Sequence, residues 1–254
     1  MPANMRFAFL DHPGLLAFAH RGGALERTEN THDAFDHAVA LGYRYIETDV
    51  QLTRDGVVVV FHDDDLSRLM GRPERINALD WADLAQLRFP CGARIPRLDE
   101  TLEAYPDTRF NLEPKSERVV EPLAAVIRAC GALSRVCVGC FDPKRTRRLR
   151  DLLGDDLCWS PSHAGVAAVW LAGWGLPVPV KPFPALQIPP SFHGIPVATR
   201  RLVRAAHARD IQVHVWTVDE ADRMRALIDA GVDGLMTDRP TLLKQVLEAR
   251  GLWV

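Results

Sequence analysis

The chain has 254 residues, with 31 Lys plus Arg against 33 Asp plus Glu and a formal net charge of −2 at pH 7. Charge this balanced excludes a general electrostatic attraction to nucleic acid, so partners have to be read from local sites. The length suits one α/β barrel of about 250 residues, and no run approaches the roughly 18 apolar residues of a membrane span, which argues against stable membrane insertion.

The N-terminal stretch carries Arg6 and is broken by Asp11, His12 and Pro13, too poor in apolar residues for a signal peptide. Residues 15–19 form an apolar run that ends in His20-Arg21-Gly22-Gly23. Polar residues at a strand end followed by glycines mark a site at the strand's C-terminal edge. Asn30-Thr31 then offers an N-cap for a helix to about Leu41, stopped by Gly42.

Residues 47–63 carry the densest chemistry. Two β-type runs meet at Asp55-Gly56, a strong signal for a two-residue type I′ hairpin. If those residues are the whole loop, Arg54 faces Val57 and Asp49 faces His62, with Cβ atoms about 5 Å apart. Glu47, Asp49 and Gln51 share one face of their strand. Two neighbouring carboxylates repel unless a positive charge lies between them, and their hard oxygens suit Mg²⁺ or Ca²⁺. The expectation is a divalent cation with an imidazole beside it.

Residues 66–96, rich in Arg, Asp and Pro, read as an insertion with one short helix near 81–87, and residues 99–105 read as helical. In residues 109–115 Pro114 marks a strand end, where Glu113 and Lys115 project the same way. Taken alone they would be a surface ion pair worth under about 1 kcal/mol.

The pattern then alternates: helix 119–129, strand 136–140, helix 143–153, strand 157–160, helix 164–174, strand 185–188, helix 199–209, strand 212–217, helix 220–230, strand 234–237 and a helix from Pro240. Five basic residues on 143–153 (Lys144, Arg145, Arg147, Arg148, Arg150) read as a solvated face. Cysteines 91, 130, 137, 140 and 158 are odd in number and lack a framework spacing, which fits a reduced, cytoplasmic chain. The Cys137-x-x-Cys140 pair falls in a buried strand and has no second pair, so neither zinc nor redox chemistry is expected of it. The proline-rich residues 176–196, with Trp159, Trp170 and Trp174 nearby, are either an apolar wall over a site or core packing. His12, His32, His37, His163, His193 and His207 read as surface groups, and His214 as lying deeper on the Trp216 face.

Eight strands, near residues 17, 47, 111, 138, 158, 187, 215 and 235, alternate with helices without a linker. The expected fold is a TIM (β/α)8 barrel with a small insertion after the second strand, as a single domain over residues 1–254. A doubly wound open sheet is the rival, but no Gly-x-Gly-x-x-Gly follows the first strand.

His20-Arg21-Gly22, Glu29-Asn30-Thr31, Glu47-x-Asp49, His62-Asp63, Glu113-x-Lys115, Trp216-Thr217 and Thr237-Asp238-Arg239-Pro240, in that order, resemble the glycerophosphodiester phosphodiesterase family. The resemblance implies a TIM barrel with a small insertion matching 66–96, a divalent cation, and hydrolysis of glycerophosphodiesters to glycerol 3-phosphate and an alcohol. It implies that Glu47, Asp49 and Glu113 ligate the metal, with Glu29 as a further candidate for its shell. It assigns acid and base work to His20 and His62, phosphate binding to Arg21 and Lys115, and the glycerol side to Trp216. Thr28 stands where the family usually has proline, Pro114 separates Glu113 from Lys115, and Cys140 replaces the common serine; none removes an ionisable group.

The chemistry agrees with these residues taken unaided. Charge grows on the non-bridging oxygens of a reacting phosphodiester, which a cation, Arg21 and Lys115 would stabilise, while two histidines share proton removal and delivery. Attack by water and attack by the neighbouring glycerol hydroxyl through a cyclic phosphate both remain open. So do two other functions: a lysophospholipase D or sphingomyelinase D-like lipid phosphodiesterase, and an inactive phosphate-binding barrel. The acid and base pair argues against the last.

Overall fold

The computed structural model describes residues 7–254, so Arg6 lies outside the described residues. β1 (Leu16–His20) leads to α1 (His32–Ala40), and β2 (Tyr45–Leu52) turns back as β3 (Val58–Val60). Then come α2 (Ser67–Met70), α3 (Trp81–Leu84), α4 (Leu98–Ala104), β4 (Arg109–Pro114), α5 (Val120–Ala129), β5 (Val136–Val138), α6 (Pro143–Leu153) and β6 (Cys158–Trp159). The chain continues through α7 (His163–Gly173), β7 (Ala185–Ile188), the small hairpin β8 (Ser191–Phe192) and β9 (Ile195–Pro196), and α8 (Arg200–His207). β10 (Gln212–Val215), α9 (Ala221–Ala230), β11 (Gly234–Thr237) and α10 (Pro240–Glu248) close it.

Local chemistry sets the boundaries. Thr31 caps α1, its Oγ1 accepting from Ala34 N at 3.2 Å, and Asp142 caps α6 ahead of Pro143. Eight strands pair in the order β6-β5-β4-β2-β1-β11-β10-β7, all parallel, while β3 pairs antiparallel with β2 as a side arm. This is a nearly closed (β/α)8 barrel. The ladder lapses between β6 and β7, where Pro161 follows the short β6, and Gln187 N instead donates to Ser160 Oγ at 3.0 Å.

Strand residues alternate between two cores. Ile46, Val50 and Leu52 of β2 face the helices, in the large layer between barrel and outer ring. Phe18, Tyr45, Cys137, Cys158 and Met236 fill the barrel interior, plugged from below by Phe9 and Leu10, with the Tyr45 hydroxyl donating to Phe9 O at 2.9 Å. Residues 66–96 carry α2 and α3, and Phe61, Leu66, Ile76, Leu84, Phe89 and Ile95 form a small core beneath them.

One expectation needs correction. The β2–β3 loop has three residues, not two, because Val50 pairs with Val60 and Leu52 with Val58. Thr53 Oγ1 donates to Asp55 at 2.6 Å and accepts from Val57 N at 2.8 Å, while Gly56 takes φ +88°, so the side-chain bonds favour the three-residue turn. Phe61, not His62, therefore bonds opposite Asp49, its N donating to Asp49 O at 3.0 Å. The basic face of α6 keeps Lys144, Arg147 and Arg148 exposed, as expected, while Arg145 and Arg150 are half-buried. Arg145 donates to Pro114 O at 3.0 Å, Arg148 pairs with Glu121 at 2.5 Å, and Arg150 lies 4.2 Å over the Trp159 ring.

Candidate active site

Parallel pairing puts side chains of adjacent strands into one layer, and the C-terminal layer here is polar. His20 pairs with Glu47, Glu47 with Asn111, and Asp49 with Glu113. β11 closes the barrel with Thr237 beside Ala19, which brings Asp238 next to His20. A cavity of about 280 Å³ opens above this layer, lined by His20, Arg21, Glu47, His62, Glu113 and Lys115, with Trp216 and Phe141 on the far wall.

Glu47, Asp49 and Glu113 each bring a carboxylate oxygen within 4.8 Å of the others, so together they could hold a divalent cation. The donor set fits one. Burial and the neighbouring Asp49 charge push the Glu47 carboxyl up to about 8, against the pull of His20. Burial also disfavours the Asp49 charge, yet Lys115, Arg21 and His62 hold its carboxyl below the ordinary range, helped by the Asn30 amide. Glu113 is the more exposed member of the three.

Two cations stand among these acids. Lys115 Nζ lies 3.2 Å from Asp49 and 3.3 Å from Glu113. Burial lowers the Lys115 pKa, but the two carboxylates raise it further, so the ammonium keeps its proton. Arg21 N donates to Glu47 at 3.2 Å and its Nη1 to Glu29 at 3.0 Å. Its buried Nε, 3.2 Å from Asp49, has no hydrogen-bond partner of acceptable geometry, leaving a donor unmet beside the cavity.

Both cavity histidines are backed by carboxylates. His20 Nδ1 lies 2.7 Å from Asp238 and its Nε2 3.5 Å from Glu47. Burial opposes its charge, but Glu47 and Asp238 outweigh burial and lift His20 to about 9. His62 arrives from the loop after β3, with Nδ1 2.6 Å from Asp63, and Gln51 Nε2 donates to the backbone oxygens of His62 and Asp63 at 3.4 and 3.1 Å. In each ring the carboxylate holds Nδ1, so Nε2 is the atom available to a substrate.

Several residues here had no role assigned by the sequence. Arg68, within the insertion, donates to both oxygens of Glu29 at 2.8 and 2.7 Å and to Asp63 at 2.7 Å. It carried no signal in a stretch of weak periodicity. The same bonds correct the reading of Glu29: Arg21 and Arg68 occupy its oxygens, and it lies outside the acidic cluster. Asn30 is more than a helix-start residue. Fully buried at φ +57°, it donates to Asp49 at 3.0 Å and accepts from Thr48 Oγ1 at 2.6 Å. Asp238 could have been inferred from barrel closure, which sets the last strand beside the first. Across the cavity floor Gln187 donates to Asn111 at 2.8 Å, passing over Gly139, where a Cβ would come within 2.2 Å of Gln187 Oε1. A side chain there would push Gln187 off this position.

The glycerophosphoryl diester phosphodiesterase family model matches residues 20–242. The chain belongs to that family. Over 255 residues it is 41% identical to the "Probable glycerophosphodiester phosphodiesterase 2" of Mycobacterium tuberculosis, covering 96% of this chain and 95% of that protein. It is 27% identical over 296 residues to a rat protein named lysophospholipase D, covering 95% and 92%. A solved glycerophosphodiester phosphodiesterase from Agrobacterium tumefaciens superposes with a TM-score of 0.78 at 24% identity, over 92% of this chain and 99% of that one. As a member of the glycerophosphoryl diester phosphodiesterase family, the protein is a phosphoric diester hydrolase. No helix of the described residues is long and apolar enough to cross a membrane.

Proposed function

We propose that this family member, acting as one domain over residues 1–254, hydrolyses glycerophosphodiesters to glycerol 3-phosphate and an alcohol in the cytoplasm, using Mg²⁺ or Ca²⁺ held by Glu47, Asp49 and Glu113. The observation that carries the reading is one cavity in which Glu47 and Glu113 of this carboxylate cluster meet two carboxylate-backed histidines. When bound, the cation supplies positive charge for the phosphoryl oxygens and lowers the pKa of an attacking hydroxyl or water. Arg21 and Lys115, which both line the cavity, add fixed charge for the same oxygens. Nε2 of one histidine takes the proton of the nucleophile, and Nε2 of the other delivers a proton to the departing alkoxide. Trp216 lines the glycerol side. In the test, glycerophosphocholine is assayed after chelation and after add-back of Mg²⁺ or Ca²⁺. Release of glycerol 3-phosphate that stops with chelator and returns with metal supports the reading; full activity in excess chelator sinks it.

A second reading, hydrolysis of a lipid in the manner named for the rat relative, is favoured by a specific observation: the Phe141 and Trp216 wall runs on into an apolar trough.

A further inference from the structure

We propose that the face made by α7, the loop that follows it and the β8–β9 hairpin docks reversibly on the surface of an anionic lipid bilayer, lying on it without crossing it. Such docking is independent of which diester the cavity cleaves.

Charge is spread unevenly along the chain. No Asp or Glu occurs between Asp156 and Asp210, whereas 33 acids spaced evenly over 254 residues would put about seven there. The same stretch holds Lys181, Arg200, Arg201, Arg204 and Arg209, all exposed, so it is cationic in a chain whose formal net charge is −2. With no carboxylate in its own stretch, Arg201 lies 4.2 Å over the Trp174 ring.

Exposed apolar groups gather on the same face. Seven large apolar side chains stand well exposed among the described residues, and four of them are Trp174 (57%), Leu176 (49%), Phe192 (49%) and Ile195 (54%). Ring and backbone contacts join them into one surface. Trp174 lies 5.7 Å from Trp170, whose Nε1 donates to Pro196 O at 3.2 Å. Phe192 pairs with Ile195 across the hairpin, and its ring is 5.8 Å from that of His163 on α7. His163 in turn stacks at 4.2 Å on Phe141, a wall of the catalytic cavity, so the face adjoins the barrel mouth. Between these points α7, His-Ala-Gly-Val-Ala-Ala-Val-Trp-Leu-Ala-Gly, has no charged residue apart from its first histidine, yet Val169 is its one fully buried residue. A helix apolar around its circumference is costly against water and suits a medium that is partly hydrocarbon.

The charge pattern selects the partner. At a bilayer surface Trp, Phe, Leu and Ile enter the upper acyl region while Lys and Arg stay with the lipid phosphates. A second copy of this chain meeting the first through the same patch would set one acid-free stretch against another, leaving the cations unanswered. A protein partner is recognised by fixed charge pairs, whereas the loss of every acid over so long a stretch raises the potential of a whole face, to which a fluid array of anionic lipids responds.

In the test, the full chain loaded with Mg²⁺ is sedimented with vesicles of phosphatidylcholine alone or with about one-third phosphatidylglycerol. Binding to the anionic vesicles should be about tenfold or more tighter, and should weaken as salt is raised. Arg201→Glu and Lys181→Glu should each weaken it by about tenfold or more, and Trp174→Ser and Phe192→Ser by about tenfold, while turnover of soluble glycerophosphocholine stays within about twofold. Val39→Ser, which removes an exposed apolar group on α1, should bind like the unmutated protein. Brominated phosphatidylcholine in the anionic vesicles should quench tryptophan fluorescence, and Trp174→Phe should lose most of that quenching while still binding. Equal binding to both vesicle types, variants that bind like the unmutated protein, or an equal loss in Val39→Ser overturns the proposal. So does vesicle binding that is absent while poly-glutamate is bound, which assigns the face to an acidic protein, or a dimer in solution whose formation abolishes vesicle binding. Since binding is read without turnover, an enzyme that cleaves no diester leaves the docking face standing, and an active enzyme that ignores anionic vesicles removes it alone.

Discussion

The two sides of the barrel mouth differ in what their side chains lack. On the β1, β2, β4 and β11 side nearly every polar group is held by another: Asp238 on His20, Asp63 on His62, Arg68 across Glu29 and Asp63, and Asn30 on Asp49. On the α7 and β8–β9 side, large apolar groups stand partly exposed around an apolar trough. The strands reflect the same split, since β2 runs eight residues with every one buried while β6 has two and breaks the ladder. A phosphoryl transfer needs charges fixed before substrate arrives, because reorienting them during the reaction would add to the barrier. A hydrocarbon chain needs only a dry surface of about the right width.

The comparison predicts steeply graded mutational effects. Glu47→Gln, or removal of the cation by chelator, should lower kcat by about a thousandfold or more, measured on glycerophosphocholine; a loss near tenfold would mean the acidic cluster is not the centre of the chemistry. His20→Ala and His62→Ala should each cost about a hundred- to ten-thousandfold. Replacing choline by p-nitrophenol, which leaves without a proton, should rescue only the variant that has lost the acid, and equal rescue of both would refute the division of labour.

Arg68→Met tests whether the ion-pair network matters beyond stability. A positioning role predicts about ten- to a hundredfold lower kcat together with a displaced pH profile, because Glu29 and Asp63 lose a shared partner. An unchanged profile at normal activity would reduce Arg68 to a surface group.

The polar side should also make the metal-free protein sensitive to alkali. His20, ordinarily 6.5, is lifted to about 9 in the fold, and Glu47, ordinarily 4.5, to about 8. Both bind a proton more tightly folded than unfolded, so stability falls as pH rises, and His20's contribution, complete below about 6.5, is lost through about 9. The Tm of metal-free protein should drop by about a few degrees over that window. Metal loading should flatten the slope and release protons near pH 7, measurable by calorimetry in buffers of different ionisation enthalpy. The smallest effect belongs to the other side: Phe192→Ser should change unfolding free energy by less than about 0.5 kcal/mol in a denaturant titration, since the exposed ring contributes little to the core.

Much of the site was legible because short-range rules govern it. Strand alternation put Glu47 and Asp49 on one face, Pro114 ended a strand beside Glu113, and Thr31 with Gly42 bounded α1. The hairpin register was not. Asp55-Gly56 matches two turn types, and the choice rested on Thr53, whose hydroxyl ties the loop into three residues. His62 faces the cavity all the same, because the loop after β3, not the ladder, delivers it. Residues 176–196 read as an apolar wall or core packing, with no sign of the β8–β9 hairpin, a two-residue pairing too short to leave a period in the sequence.

By itself the sequence determined the eight strands, the helices between them and the inward-facing acids, since periodicity, caps and turn residues act over a few positions of chain. Only the tertiary structure decided which partner each group has: Asp238 for His20 across 218 residues, Arg68 for Glu29 instead of a metal, and Trp216 as the link between cavity and trough. Those pairings depend on the closure of the barrel and the path of its loops, and neither is written in any local stretch.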